Sequence, residues 1–553
     1  MGINLSNLQN KYKEDLLKKI NCESSADLNF TNEELSICDL PIQKIQELLL
    51  IGKNNFNLVK LIQMYHFRKL KDQNSHNSMT DSFYDIPIQR AQKLQQELSK
   101  NGKEAFKKYP LLGCVMSIKD HLRYKGTDCT FGLLALCDKP YKKTAPFIEF
   151  MENKGAIVTT KGNMSQFGLL IESHSTAYGD VKNKHDVKRT SGGSSGGEAS
   201  LLSNGLVNFS IGSDIGGSIR IPALFEGVCG FKPTAERIPD VFGNFFKKTI
   251  YKNTAPSSQK LILKTIGPLC RHISEMELFF EILNEFMKQS IEIAPVTWNL
   301  KIKVNKVGKL KSFDSILEPT LTMKRAFNEG CKTLEEKGFE LVELDINDII
   351  EDIIVNTYAI MLKGEDNWFK VQKENFLTEP IHTNIKNMVF VNSLSSSTLE
   401  KKIDNDEIKS RTEYIVKAFL LSRSESFLDL QNRREKLLEE VTNRFRKNDL
   451  TTALTYGCFH AFNIGTSDKV GFQVIYTIVW NYFNFPAAVV PITNVRNSEE
   501  IYKSDWNDNL IRDLAKDCIG STGLPVGVQV VGLPWRDEDV FYVLKNVSPK
   551  EFI

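Results

Sequence analysis

No Cys-x-x-Cys pair occurs in the 553 residues. The ten cysteines, Cys22, Cys38, Cys114, Cys129, Cys137, Cys229, Cys270, Cys331, Cys458 and Cys518, are spread along the chain without zinc-ligand spacing. This excludes a sequence-encoded zinc module and fits reduced core thiols in a cytosolic protein. Charge of one sign is also lacking: 71 Lys and Arg against 68 Asp and Glu leave a net +3, so no global field for nucleic acid is implied. A signal-peptide core is missing from Met1 to Ile20, which Lys11, Lys13, Glu14 and Asp15 interrupt. Long apolar runs are scarce. Only Val474 to Ile492 approaches the length of a membrane span, and it holds Asn481, Asn484, Pro486 and Pro491, so it reads as a buried helix and strand. No internal repeat is found.

A composition of 41% hydrophobic and 25% charged residues can bury a large core. Residues 1–40 read as short helical pieces, with turn and cap signals at Ser24 to Asp27 and Asn29 to Glu33. Pro41 to Arg68 is amphipathic, with Ile42, Ile45, Leu48, Leu49, Leu58, Leu61 and Ile62 at helical spacing, and a second helix covers Ile88 to Lys100. Pro146 to Lys154 followed by Gly155 to Thr159 reads as helix then strand, which is the alternation of an α/β fold. Beyond a Lys/Asn-rich loop at Phe245 to Lys260, Lys301 to Val304 is expected as a strand, Pro319 to Lys337 as a helix and Phe339 to Leu344 as a strand. Ser393 to Ser410 is polar, a surface insertion or a solvated helix.

Between Ser191 and Pro222 the chain reads Ser-Gly-Gly-Ser-Ser-Gly-Gly-Glu, then an apolar stretch of helix length, then Ser213-Asp-Ile-Gly-Gly-Ser-Ile-Arg-Ile-Pro222. A flexible linker would continue polar, whereas Ala199, Leu201, Leu202, Leu206, Val207, Phe209 and Ile211 return at once to core spacing. Tandem glycines let backbone N–H groups approach a reacting carbonyl closely, as an oxyanion hole requires. Ser218 sits beside such a pair. It reads either as a nucleophile or as the cap of a helix beginning near Ile219. Ser194 competes with Ser195 for a proton-relay role, and both could equally satisfy turn backbone groups. Upstream, Gly113-Cys-Val-Met-Ser-Ile places Lys119 at the end of a buried strand. A desolvated lysine can be neutral near pH 7 and act as a base; the plainer reading is a solvated strand end paired with Asp120.

Lys119, Ser194 and Ser218 in this order resemble the Ser–Ser–Lys triad of the amidase signature hydrolases, and the chain from about Leu40 onward is most similar to their fatty acid amide hydrolase branch. The ordered motifs that carry this are Ser117 to Asp120, Tyr124 to Asp128, Gly192 to Glu198, Asp214 to Pro222, Gly227 to Thr234, Ile266 to Pro268, Asn484 to Ile492 and Gly523 to Trp535. The resemblance implies an α/β amidase signature fold, a central mixed twisted β-sheet surrounded by α-helices. It implies residues 1–80 as a helical segment packed on a catalytic domain at 81–553, with 384–421 as a cap or surface insertion. It further implies an oxyanion hole from the N–H groups of Ile215, Gly216, Gly217 and Ser218, support from Asp214 and Arg220, and a cis peptide before Ser194. Gly168 and Leu169, within Phe167 to Ile171, align with the acyl-pocket wall, with ordinary core as the alternative. No metal or cofactor is called for, and His121 and His174, the histidines nearest the motifs, read as structural.

The activity so implied is cleavage of carboxamides, fatty acid amides first, through an acyl-enzyme. The alternatives are a non-catalytic scaffold of the same fold and the amidase component of an amidotransferase-type assembly. The expected partner is a small amide substrate, lipid in chemistry, with peripheral membrane contact and a homodimer as further expectations. Animal members of the branch carry an N-terminal spanning helix that is not seen here, while Met1-Gly2-Ile-Asn-Leu-Ser6 reads either as an accidental match of Gly2 and Ser6 or as an N-myristoylation start, with Lys11, Lys13, Lys18 and Lys19 as a second membrane signal. Two departures stand out: the basic Lys182 to Arg189 segment replaces an Asn-Pro turn, and Tyr456 stands where a proline is expected.

Overall fold

The computed structural model describes residues 5–22, 25, 28–238, 261–289, 296–310, 313, 315–375, 382, 412–506 and 508–552. The start of the Met1 to Ser6 motif, the Phe245 to Lys260 loop, the Ser393 to Ser410 insertion and the 384–411 part of the expected cap lie outside the described residues.

Thirteen strands are described: β1 Met79–Ser82, β2 Val115–Lys119, β3 Ile157–Gly162, β4 His174–Ser175, β5 Gly179–Asp180, β6 Phe209–Asp214, β7 Cys229–Lys232, β8 Thr265–Cys270, β9 Lys306–Leu310, β10 Glu340–Leu344, β11 Thr452–Tyr456, β12 Ala487–Asn494 and β13 Pro525–Gly532. Eleven of them form one mixed sheet in the order β1-β3-β2-β6-β8-β7-β12-β13-β11-β9-β10, and β4 and β5 pair separately. The strands β3, β2 and β6 run parallel, then β6–β8, β7–β12 and β12–β13 pair antiparallel. Every residue of β2, β3, β8 and β13 is buried, as expected of strands covered by helices on both faces. The far edge is different. On β10, Glu340 and Glu343 sit in register with Lys306 and Lys309 of β9 and pair with them at 3.4 and 2.8 Å, a charged edge that discourages further strand pairing.

Most of the expected elements are found close to their places. Pro146–Asn153 and Leu321–Glu336 are helical, and Val474 to Ile492 resolves into a buried helix, Ile475–Tyr482, and β12. No described helix is long and apolar enough to cross a membrane. The amphipathic Pro41 to Arg68 stretch is two helices, Ile42–Ile51 and Leu58–Asp72, parted at Gly52, whose φ of 62° ends the first helix in a left-handed cap. Residues 1–40 hold a longer helix than expected, Leu5–Ile20, followed by Asn32–Ser36, which Thr31 opens with a capping box to Glu34. The boundary placed at residue 80 falls inside β1, so the sheet begins before residue 81. Lys301 to Val304 is not a strand; the strand is Lys306–Leu310. Lys301 to Val304 alternates polar and apolar residues whereas Lys-Val-Gly-Lys-Leu at 306–310 does not, yet it is the second stretch that pairs on both sides, with β10 and β11.

The unusual Lys182 to Arg189 segment is anchored from within. Arg189 is buried and donates to the carbonyls of Ala461, Asp517 and Ile519 at 2.7, 3.0 and 2.9 Å, tying this loop to two distant ones. Tyr456 ends β11 opposite Val528, its ring 5.0 Å from that of Phe327. Arg189→Met should therefore lose about 3 kcal/mol of stability, because the Asp517 and Ile519 carbonyls lose their donor and that of Ala461 keeps only His460 Nδ1, at 3.1 Å, and Arg189→Lys should recover only part of it. A denaturant midpoint equal to wild type for Arg189→Met would contradict this anchoring.

Candidate active site

Lys119 is the last residue of β2, flanked by β3 and β6 and covered by the wholly buried helix Gly196–Ser203. Its side chain is out of contact with water. Nζ lies 2.7 Å from Ser194 Oγ, 3.2 Å from Ser213 Oγ and 3.4 Å from the Ser213 carbonyl oxygen. Burial pushes the amine down from the ordinary lysine value to about 7, against the opposing charges of Glu198, Asp214 and Asp120. Asp120 is not its partner. The Asp120 carboxylate accepts from Thr130 N and Oγ1, Phe131 N and Thr80 Oγ1 at 2.7–3.2 Å.

The peptide bond Gly193–Ser194 is cis. Of the two adjacent serines only Ser194 reaches Lys119, since Ser195 Oγ lies 3.3 Å from the Ser213 carbonyl, to which it donates, and 3.4 Å from Ser213 N, from which it accepts. Gly168 flanks Ser194: a Cβ on Gly168 would stand 3.7 Å from Ser194 Oγ, with half-buried Leu169 following.

Beyond β6 the chain turns through Ile215 to Ser218 into the helix Arg220–Glu226. Asp214 shapes this turn from inside. Its carboxylate accepts from Gly217 N and Ile219 N at 2.8 and 3.1 Å, from Arg220 Nε and Nη2 at 3.0 and 2.9 Å, and from Asn481 Nδ2 at 2.9 Å. Arg220 in turn reaches the Thr477 carbonyl and Gln529 Oε1 at 2.9 and 2.7 Å. Burial alone would push Asp214 up, but the Arg220 guanidinium outweighs it and holds the carboxyl well below the usual range. Gly217 adopts φ +127°, and a Cβ there would collide with Thr477 Oγ1, so only glycine fits.

Two expectations change here. Gly217 N–H is committed to Asp214, so the expected group of four oxyanion donors is reduced; for the amides of Ile215, Gly216 and Ser218 no acceptor is found among the described residues. Ser218 is not a side-chain cap either, because Ile219 occupies that position and no side-chain cap bond is made. Ser195 N–H donates to the Ser218 carbonyl at 3.1 Å, which joins the two serine loops.

The family model described as Amidase matches residues 64–541. The chain belongs to the amidase family. It is an amide-hydrolysing enzyme with the amidase signature fold. Among its relatives, Fatty-acid amide hydrolase 1 of Sus scrofa is 27% identical over 463 residues, covering 79% of this chain and 75% of the relative. One component of the Glutamyl-tRNA(Gln) amidotransferase of a Sulfurihydrogenibium species is 25% identical over 88% of this chain and 92% of its own length. A solved structure titled Fatty acid amide hydrolase superposes with a TM-score of 0.74 at 20% identity, over 98% of this chain and 91% of that one.

Sequence reasoning passed over three residues of this amidase's site. Ser213 contacts Lys119 across the β2–β6 pairing, which joins segments 94 residues apart and cannot be read from either one. Glu198 lies in the Gly-Gly-Glu of the motif; it is fully buried, fills the space beside Gly162, the register partner of Lys119, and is pushed up by burial to about 8. Asn481, noted in the sequence only as a polar break in an apolar stretch, braces both Asp214 and Arg220.

The lowered Lys119 value carries a stability signature. Between about pH 7 and about 10.5 the unfolded chain holds the Lys119 proton and the folded one does not, so stability gains from this site as pH rises, and below about 7 the contribution is constant. Wild type should therefore gain on Lys119→Met by up to about 5 kcal/mol across that window in parallel denaturant titrations. A pH-independent difference between the two proteins would show that Lys119 is not neutralised by folding.

Proposed function

We propose that this amidase is a serine hydrolase that cleaves carboxamides through an acyl-enzyme, with fatty acid amides as the substrate class. The observation that carries the reading is the 2.7 Å approach of the buried Lys119 Nζ to Ser194 Oγ, on a loop bonded to the one that bears Ser218. Neutral Lys119 accepts a proton from Ser194, which takes one from Ser218 as Ser218 Oγ attacks the carbonyl carbon. The oxyanion is met by the N–H groups of Ile215, Gly216 and Ser218, while the Gly217 N–H bond to Asp214 holds the turn that aims them. The relay then returns the proton to the departing amine, and water releases the acid from Ser218.

The fatty acid amide assignment is supported by the relatives and by apolar side chains beside the glycines that flank Ser194 and Ser218. Met164 lies against Gly168, Ile478 against Gly216 and Ile171 near Gly471. A long acyl chain needs a mainly apolar wall of this kind.

A fluorophosphonate probe should label wild type and not Ser218→Ala; equal labelling of both would refute the nucleophile. Chain length is read with a panel of primary amides, for which long acyl chains should give the higher kcat/KM. Amide hydrolysis should rise with pH through about 7 as Lys119 loses its proton. Lys119→Ala should depress cleavage of an anilide far more than that of a nitrophenyl ester of the same acid, because only the amine needs a proton to leave. Equal losses for both substrates in a folded Lys119→Ala protein would make the lysine structural.

A further inference from the structure

A neutral amine has two N–H groups and one lone pair, and Lys119 Nζ has three neighbours to share them with. The Ser213 carbonyl, at 3.4 Å, can only accept and takes one N–H. Two hydroxyls remain, Ser194 Oγ at 2.7 Å and Ser213 Oγ at 3.2 Å, and only one of them can face the lone pair. If the Ser213 hydroxyl donates to Nζ, Ser194 faces an N–H and has no base. If Ser213 Oγ accepts from Nζ instead, its own proton needs another acceptor. One is in place: His121 Nε2 lies 3.0 Å from Ser213 Oγ.

The His121 ring is buried and meets Phe131 edge-on at 5.4 Å between centroids. The charged groups facing it are Lys119 on its own segment, Lys161 from β3 and Lys264 ahead of β8. Burial first, and then the charges of Lys264 and Lys161, joined by Lys119 whenever it holds its proton, press the ring toward the neutral form, in which one nitrogen is an acceptor. Lys119 itself is faced by the carboxyls of Glu198, Asp214 and Asp120. The Asp214 and Asp120 carboxylates are taken by the donors described above, so neither competes for the Ser213 hydroxyl.

We propose that His121 is a positioning residue for Lys119: its Nε2 accepts the Ser213 proton, Ser213 Oγ thereby accepts from Lys119, and the lysine lone pair is left to Ser194. This rests on the reading of Lys119 as the base. It requires the tautomer of His121 that carries its proton on Nδ1.

Nitrogen-15 histidine spectra of the intact protein decide the tautomer without reference to turnover, the His121 signals being those lost in His121→Gln and in His121→Phe. An unprotonated Nε2 with a protonated Nδ1 is expected; a protonated Nε2 overturns the proposal. In anilide hydrolysis His121→Phe should lower kcat/KM about tenfold, the worth of one misdirected hydrogen bond. Its acid-limb midpoint should also move down by about half to one pH unit, because the Ser213 hydroxyl then donates to the neutral amine and stabilises it. His121→Gln, whose side-chain oxygen can accept from Ser213, should restore most of the rate. In a Ser213→Ala background His121→Phe should add nothing, since no hydroxyl is left to orient. Additive losses, or an unmoved pH profile in His121→Phe, would reduce His121 to a packing role. Absence of any Ser218-dependent turnover in wild type would refute the hydrolase reading instead, leaving the tautomer result to decide the arrangement at Ser213.

Discussion

An amine taken out of water loses most of the stabilisation of its charged form, and at Lys119 the fold supplies no free carboxylate to restore it. Three carboxyls act on it. Asp120 is turned aside by four donors from Thr80, Thr130 and Phe131. Asp214 is held by Arg220, Asn481 and two backbone amides of its own turn. Glu198 is buried so thoroughly that its carboxyl is pushed up to about 8 and is mostly protonated at neutral pH. What remains beside the amine is two hydroxyls and a carbonyl, partners that can share hydrogens with a neutral base without forcing it to ionise.

The sheet makes this arrangement possible. Parallel strands β3, β2 and β6 put Gly162, Lys119 and the Ser213–Asp214 end of β6 side by side at their carboxyl ends, and each runs into a turn that serves the site. The Asp214–Arg220 pair, with neither side chain exposed, then binds the Ser218 turn to Thr477, Asn481 and Gln529 far along the chain. Removing one partner of such a buried pair typically costs about 3–5 kcal/mol, so the turn geometry is enforced by the whole core and not by local sequence.

What could be read from the sequence follows the range of the interactions. Lys119 at a strand end, the two serine loops, and the helices near 85–101, 146–153 and 321–336 depend on local periodicity and turn chemistry, and the structure has them close to where they are expected. The choice of Lys306–Leu310 over Lys301 to Val304 depends on pairing with β10 and β11, and the role of Ser213 depends on β2 meeting β6. Neither leaves a local trace. The Gly217 amide is a subtler case: its place in a tandem-glycine turn suggests an oxyanion donor, whereas Asp214, three residues earlier, already takes its hydrogen.

The central claim is that burial leaves the Lys119 amine neutral at the pH where the enzyme would work. It is tested most directly by titrating the protein labelled with carbon-13 at lysine Cε, with the Lys119 resonance identified by its loss in Lys119→Met. A midpoint near 7 is predicted. A Lys119 resonance that keeps its charged-form shift up to pH 10 would contradict the account.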